Sequence, residues 1–285
     1  MRALKKDKAK EKFQCLPSKS VTLHQNLMNS EFARRSKTDI KSKYLKRHNS
    51  IPKRVITNRL SYGCSSLMYA CQQGDIAEVL ERLHTKPNQI RIRDRRNKSA
   101  LHYCAIQGIT SSNVLVAAAS IVVAAPELLE SVDEDGFTPL HLAVIQGNLA
   151  MVNLLLANKA DVNAVDKEGH SVVHWATVCG EVAALRAVLA ADANIAIPDI
   201  NGGSPLHYAA QMCGAVYDGK LCQTNSSKLA MEILEILLSH PQCNVDVQDK
   251  DGRQPLLWAA SAGSAKAITA LVKAGARIES ADKLV

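Results

Sequence analysis

The sequence predicts an all-α protein, a solenoid of stacked helix-turn-helix units with β-hairpin tips, preceded by a disordered basic N-terminal arm. Three observations lead to this fold class. A short helix-opening string recurs along the chain, a Gly follows most copies at a constant distance, and an Asp-x-x-Gly turn precedes most copies. Self-similarity at a period of about 20–50 residues is typical of repeat architectures.

The helix-opening string starts with Ser or Thr in five of its six copies and continues into an apolar run. Successive copies begin 34, 39, 33, 33 and 50 residues apart. The two widest spacings predict insertions near residues 110–125 and 214–229. The copies are Ser65-Ser-Leu-Met-Tyr-Ala70, Ser99-Ala-Leu-His-Tyr-Cys104, Thr138-Pro-Leu-His-Leu-Ala143, Ser171-Val-Val-His-Trp-Ala176, Ser204-Pro-Leu-His-Tyr-Ala209 and Gln254-Pro-Leu-Leu-Trp-Ala259.

Each part of the period has a physical reason. Ser or Thr at the start accepts a hydrogen bond from a free N–H group of the first helical turn, and Pro at the next position lacks an N–H where none is needed. A Gly nine residues after most starts ends the helix in a left-handed conformation. In the fifth copy Cys213 takes that position and Gly214 follows it.

The segment between units is a turn, because Gly stands where a positive φ is required. In the second copy Asn97 stands there instead, and Asn is the next-best residue for that conformation. The glycine-bearing turns are Asp133–Gly136, Asp166–Gly169, Asp199–Gly202 and Asp249–Gly252.

These motifs resemble the ankyrin repeat, and the resemblance covers roughly residues 60–283. It implies helix-turn-helix units joined by projecting hairpins, in which neighbours cover each other's apolar faces. We therefore expect a disordered arm at residues 1–55 and an ankyrin-repeat domain of about six repeats at 56–285. A narrower resemblance to inversin and its relatives rests on three strings, His174-Trp-Ala176, Asn194-Ile-Ala-Ile-Pro-Asp199 and Leu257-Trp-Ala259.

The last unit is followed by Ala274-Gly-Ala-Arg-Ile-Glu-Ser-Ala-Asp282, which predicts one more turn and opening string. The sequence stops at Val285 instead. Terminal repeats normally carry a polar outer face. We therefore expect a truncated form, or a piece of a longer protein.

Eight cysteines without a Cys-x-x-Cys pair indicate reduced thiols, and so a cytoplasmic protein with the nucleus as the alternative. The longest apolar stretch, Val114–Ala125, is shorter than the ~20 residues that a membrane span needs, so no transmembrane segment is predicted.

We expect no catalytic residues, metal site or cofactor. His102, His141, His174 and His207 recur in register, which favours a structural role in which each imidazole bonds the neighbouring turn.

The N-terminal arm is basic: residues 1–60 hold 17 Lys or Arg and 4 Asp or Glu. A solvated tail, a nuclear-import signal, a nucleic-acid patch and a membrane-surface anchor all fit this charge. Ser50, within Arg47-His-Asn-Ser50-Ile-Pro52, resembles a site for basic-directed kinases. Once phosphorylated, the segment would resemble a ligand of phosphoserine-reading adaptors.

The resemblance implies that partner proteins bind in the concave groove and at the hairpin tips. There the sequence presents mixed charge around an apolar strip. Phe137 is the best single anchor, and packing of its ring beneath the neighbouring tip is the alternative. The candidate partner-binding residues are Arg95, Arg96, Ile106, Phe137, Ile145, Gln146, Lys167, His170, Val178, Met212 and Arg253.

The sequence thus predicts a non-enzymatic scaffold or adaptor that binds partner proteins of unknown identity. No small-molecule substrate is expected, and nucleic acid is expected only through the basic arm. Two alternatives stay open. One is a nuclear regulator whose arm contacts nucleic acid, and the other is the cytosolic ankyrin portion of a longer membrane or signalling protein.

Overall fold

The structure, a computed structural model, describes residues 63–107, 112–214 and 224–278, with side chains described from residue 228 in the last range. These residues form twelve α-helices within one compact unit. In chain order they are α1 (Ser66–Gln73), α2 (Ile76–Thr85), α3 (Ala100–Ile106), α4 (Ser112–Ala124), α5 (Pro139–Ile145), α6 (Leu149–Ala157), α7 (Val172–Cys179), α8 (Val182–Ala190), α9 (Pro205–Met212), α10 (Thr224–Leu238), α11 (Pro255–Ser261) and α12 (Ala265–Lys273).

The helices form six pairs that stack in sequence order. The first helices of the repeats, α1, α3, α5, α7, α9 and α11, pack side by side as an inner layer, and the second helices form an outer layer in the same order. Fully buried Leu, Ile, Val and Ala side chains from both layers make one continuous core. The predicted fold class is confirmed, because each repeat contributes an apolar face that only its neighbours cover.

The opening Ser and Thr residues cap their helices as predicted. Ser65 Oγ accepts a hydrogen bond from the Met68 N–H at 3.2 Å, and Thr138 Oγ1 accepts one from the His141 N–H at 3.4 Å. The outer helices have caps of their own that the period did not predict. In α6, Asn148 Oδ1 accepts from the Met151 N–H at 3.1 Å.

Glycine ends α1 and α7 as expected, with φ of 69° at Gly74 and 75° at Gly180. The fifth repeat departs from this pattern for a packing reason. A Cβ on Gly214 would lie only 2.3 Å from the carbonyl oxygen of Ala262 in the next repeat. Gly214 is therefore required by the close approach of two inner helices.

The two predicted insertions contain regular helix. Helix α4 occupies the predicted insertion from Ser112 onward, and residues 108–111 lie outside the described residues. Helix α10 begins at Thr224, inside the predicted insertion at 214–229, and residues 215–223 lie outside the described residues. Among the described residues, no helix combines the length and the apolar composition needed to cross a bilayer.

Candidate functional site

The hairpin tips are tight turns built on one aspartate each. In the third hairpin, Asp166 Oδ1 accepts from the backbone N–H groups of Glu168 at 2.9 Å and His170 at 2.8 Å. The Asp166 N–H donates to the His170 carbonyl oxygen at 3.0 Å, and the Gly169 N–H donates to the Asp166 carbonyl oxygen at 3.0 Å. The same four bonds recur at Asp94, Asp133, Asp199 and Asp249.

The second oxygen of most of these aspartates holds an aromatic side chain nine residues later, on the inner helix. Trp175 Nε1 donates to Asp166 Oδ2 at 3.0 Å, and Trp258 Nε1 donates to Asp249 Oδ2 at 3.0 Å. Tyr103 and Tyr208 donate in the same way to Asp94 and Asp199. In the second hairpin the ninth residue is Leu142, and the Lys98 ammonium of the preceding hairpin lies 3.6 Å from Asp133 Oδ2 instead.

Neighbouring tips are bonded to each other. The Glu134 N–H donates to the Arg96 carbonyl oxygen at 2.8 Å, and the Lys167 N–H donates to the Asp135 carbonyl oxygen at 3.1 Å. The Ile200 and Lys250 N–H groups continue the series, each at 3.0 Å. The five tips therefore form one ladder, and a residue on one tip has a fixed position relative to the next.

The recurring histidines hold each helix to the following hairpin. In all four, a backbone N–H donates to Nδ1, at 3.1 Å from Ser99 and 3.2 Å from Thr138. Nδ1 is thus the acceptor, so Nε2 carries the proton and donates to a carbonyl oxygen of the next hairpin. The oxygens are those of Phe137, His170, Gly203 and Arg253, at 2.9, 3.3, 3.1 and 2.9 Å.

Burial keeps these imidazoles neutral, because it disfavours the charged form. It lowers the pKa of His102 to about 3 and that of His174 to about 4. The predicted structural role of the recurring histidines is confirmed.

His170 behaves differently because it lies between two carboxylates. Its Nδ1 is 3.4 Å from Asp166 Oδ2, and its Nε2 is 3.5 Å from Asp199 Oδ2. Burial alone would lower the pKa of His170, but the interactions with Asp166 and Asp199 outweigh burial and raise the pKa to about 9. At neutral pH a buried imidazolium therefore bridges the third and fourth hairpins.

The structure divides the predicted partner-binding residues into three groups. Arg95 and Lys167 are exposed. A second group is partly exposed: Arg96, Ile106, Gln146, Met212 and Arg253. The third group is buried: Phe137, Ile145, His170 and Val178. Ser50 lies outside the described residues, as does the whole basic arm.

The expected exposure of Ile145 and Val178 is wrong, since they are 2% and 3% exposed. Phe137 is 5% exposed, so it follows the alternative of packing beneath the neighbouring tip and is not an exposed anchor. The Phe137 ring packs edge-on against Trp175, with centroids 5.3 Å apart, so it fills the space beneath the next tip. Ile145 and Val178 are covered because adjacent inner helices pack too closely to leave an open strip. His170 is also excluded as a contact residue, because the hairpin bridge encloses it.

Two of the predicted cations are already engaged within the array. Arg96 Nε lies 3.4 Å from Glu134 Oε1 on the next tip. The Arg253 guanidinium contacts both Asp249 and Asp251 of its own hairpin. Both arginines join residues of the tips, and the more exposed Arg96–Glu134 pair contributes only about 0–1 kcal/mol.

One exposed side chain from each tip forms part of a regular row. We call this set the tip row, and it consists of Arg95, Glu134, Lys167, Ile200 and Lys250. The sequence pattern predicted only Arg95 and Lys167 of these five as partner-binding residues. The signal for the others was available: each residue directly follows the turn aspartate.

The described residues hold no cluster of three His, Cys, Asp or Glu side chains arranged for a metal ion. A groove of about 660 Å³ runs between α10 and α12 on the outer layer. It is open to solvent, and its lining includes the apolar side chains of Met231 and Leu238 and the charged side chains of Glu235 and Lys266.

Comparison with known families agrees with this geometry. Residues 67–166 match the family model described as ankyrin repeats, in three copies, and residues 201–250 match the ankyrin repeat. The two matches together span just over half of the chain. The chain belongs to the ankyrin-repeat family. Members of the family are in general protein-interaction modules, which use the extended surface that stacking creates. The narrower resemblance to inversin stays a prediction.

Among curated proteins, the ankyrin array is similar to part of the E3 ubiquitin-protein ligase KEG of Arabidopsis thaliana. The two are 43% identical over 49 residues, which is 17% of this chain and 3% of that protein. The chain thus spans a very small part of that relative, and the similarity concerns the repeats.

Proposed function

We propose that the chain is a non-enzymatic scaffold or adaptor that binds partner proteins through the tip row. The partly exposed ends of the inner helices, at Ile106, Gln146 and Met212, form the adjoining part of the contact surface. The observation that carries the proposal is the ladder of backbone hydrogen bonds between tips, because it fixes five exposed side chains in a row. A pre-ordered surface loses less conformational entropy on binding.

The chemistry of the tip row suits a polypeptide partner. Along the row the side chains are basic, acidic, basic, apolar and basic, and Ile200 is 52% exposed. Such an alternation favours specificity, since a partner must match both the signs and the spacing of the charges. We therefore propose a partner with acidic groups on both sides of an apolar side chain.

The cytoplasm is the proposed location, with the nucleus as the alternative. Residues 1–55 and Ser50 lie outside the described residues, so nuclear import, nucleic-acid contact, membrane attachment and adaptor binding by that segment stay predictions. If the chain is part of a longer membrane or signalling protein, the tip row would serve as its docking surface.

The proposal is tested by quantitative affinity capture with the full chain and two matched variants. In the tip variant, alanine replaces four members of the tip row, Arg95, Lys167, Ile200 and Lys250. In the control, alanine replaces four outer-layer residues, Glu81, Asn153, Arg186 and Lys266. Thermal melting first shows that both variants fold.

We expect the control to recover the same proteins as the wild type and the tip variant to lose them. Equal recovery by the folded tip variant would contradict the assignment of the tip row.

A further inference from the structure

The fourth hairpin tip contains the only Asn-Gly pair in the sequence, Asn201-Gly202. Asn201 is exposed. An Asn side chain before Gly is chemically labile, because a residue without a Cβ lets its backbone nitrogen approach the side-chain carbonyl carbon. The residues at the same position of the second, third and fifth tips are Asp135, Glu168 and Asp251, whose carboxylates have no amide nitrogen to lose. Asn201 is therefore a candidate modification site that these tips do not offer.

The reaction at this pair needs only water as a co-reactant. The Gly202 backbone nitrogen bonds to Asn201 Cγ, and the bond between Cγ and the side-chain nitrogen breaks. The side-chain nitrogen leaves as ammonia with the proton of the Gly202 N–H. Water then opens the resulting succinimide at either of its two carbonyl carbons. The product is aspartate, or isoaspartate in which the main chain continues through Cγ.

The folded tip opposes this ring closure, because it holds the peptide group between Asn201 and Gly202 at both ends. The Gly202 N–H donates to the Asp199 carbonyl oxygen at 2.9 Å, and the Asn201 carbonyl oxygen accepts from the Lys250 N–H at 3.0 Å. Asp199 Oδ1 also accepts from the Asn201 N–H at 2.8 Å. Rotation of the peptide group towards Cγ breaks these bonds, so the reaction requires the fourth tip to separate from the fifth hairpin.

We propose that Asn201 is a site of spontaneous deamidation whose rate is controlled by opening of the fourth tip. Local opening of an exposed segment costs less free energy than global unfolding, so the reaction does not require the whole array to unfold. The inference holds whether or not the tip row binds a partner.

Deamidation changes the tip permanently. Either product places a new carboxylate between Ile200 and Lys250 of the tip row. In isoaspartate the main chain is also longer by one methylene group, so the turn and its bond to the fifth hairpin do not return to their original register. Opening of the tip is thereby recorded as a covalent change.

The test is peptide mapping by mass spectrometry of the full chain, incubated at neutral pH either folded or unfolded in urea. Replacement of the side-chain nitrogen by oxygen gives a mass gain that is measured at each Asn separately. Two other exposed asparagines, Asn163 and Asn194, do not precede Gly and are the internal controls. In urea Asn201 should react several-fold faster than both controls. In the folded chain its rate should fall at least about tenfold, since an opening free energy of about 1.4 kcal/mol already reduces the open fraction by that factor.

Two matched variants test whether the fourth tip is the point of control. Asp199→Ala removes the carboxylate that accepts from the Asn201 and Gly203 N–H groups, without changing the reacting residues. Asp133→Ala removes the same two bonds from the second tip. Once thermal melting shows that both fold, Asn201 should react several-fold faster in Asp199→Ala and at the wild-type rate in Asp133→Ala. Asn201→Gln should abolish the reaction at this position, because Gln has to close a larger ring.

Three results would overturn the proposal. One is an Asn201 that reacts no faster than Asn163 and Asn194 in urea, and another is an equal rate at Asn201 in the folded and unfolded chain. These two results come from the wild type and do not depend on the folding of any variant. The third is equal acceleration by Asp199→Ala and Asp133→Ala, which would show that general destabilisation, not the fourth tip, sets the rate.

Discussion

At the scale of single residues, His170 holds a positive charge between carboxylates of two neighbouring hairpins. Its environment is polar on both ring nitrogens, whereas the four recurring histidines face one donor and one acceptor. The pKa of His170 is therefore raised, whereas the pKa values of the four recurring histidines are lowered. The charge on His170 therefore makes the stability of the two stacked hairpins depend on pH.

Stability should depend on pH through His170. The folded-state pKa of about 9 lies above the ordinary value of 6.5, so the contribution is fully present below pH 6.5 and is lost as the pH rises through 9. The shift corresponds to a loss on the order of 3 kcal/mol. Urea unfolding midpoints of the wild type at pH 6.5, 8 and 9.5 measure this change.

The matched control is His170→Gln, which keeps polar contacts but cannot carry the charge. Its midpoint should vary less between pH 6.5 and 9.5 than that of the wild type. The same pH dependence in both proteins would contradict the bridge.

The sequence predicted the role of the recurring histidines correctly, but it did not predict which apolar residues of the groove are exposed. A histidine that recurs in register must satisfy the same backbone geometry each time, so its role follows from the period. The exposure of Phe137, Ile145 and Val178 depends on how closely neighbouring repeats approach. That distance is set by side chains of other repeats and is not visible in a single motif.

At the scale of the hairpin, glycine serves both the turn and the stacking of turns. Gly202 has a φ of 80°, and a Cβ there would lie 2.7 Å from the Lys250 backbone nitrogen of the next tip. Gly263 has a φ of 70°, but nothing lies within 4 Å of its Cβ position. Alanine substitutions at these two positions therefore distinguish the cost of the left-handed conformation from the cost of a steric clash between stacked tips.

Gly202→Ala should therefore destabilise the array more than Gly263→Ala. The left-handed conformation costs about 1–2 kcal/mol for an alanine in either position, and the clash with Lys250 adds to that cost only at Gly202. Chemical denaturation of the two variants at one pH measures the difference. Equal losses would show that tip stacking tolerates a side chain.

Several element-scale features could be predicted, and others could not. The turn aspartates and their glycines followed from turn chemistry. An aromatic residue stands nine positions after four of the five turn aspartates, at Tyr103, Trp175, Tyr208 and Trp258. This spacing is visible in the sequence, but the hydrogen bond that it allows forms only when the hairpin packs against its own helix. The need for Gly214 likewise depends on the position of Ala262, which belongs to the next repeat and lies 48 residues further along the chain.

At the scale of the whole array, most of the recurring chemistry is used to join one repeat to the next. The recurring histidines, the turn aspartates and the aromatic side chains that donate to those aspartates have partners in their own or the adjacent hairpin. The exposed side chains of the tip row are then available to other molecules.

The central claim is that each repeat is stabilised by its neighbours, and hydrogen exchange tests it most directly. Leu185 is fully buried in α8, and Leu185→Ala removes core volume at a typical loss of about 2–5 kcal/mol. Exchange resolved by peptide should become faster in the fourth repeat and also in the inner helices α5 and α9 of the two adjoining repeats. Faster exchange confined to residues 166–198 would contradict the account.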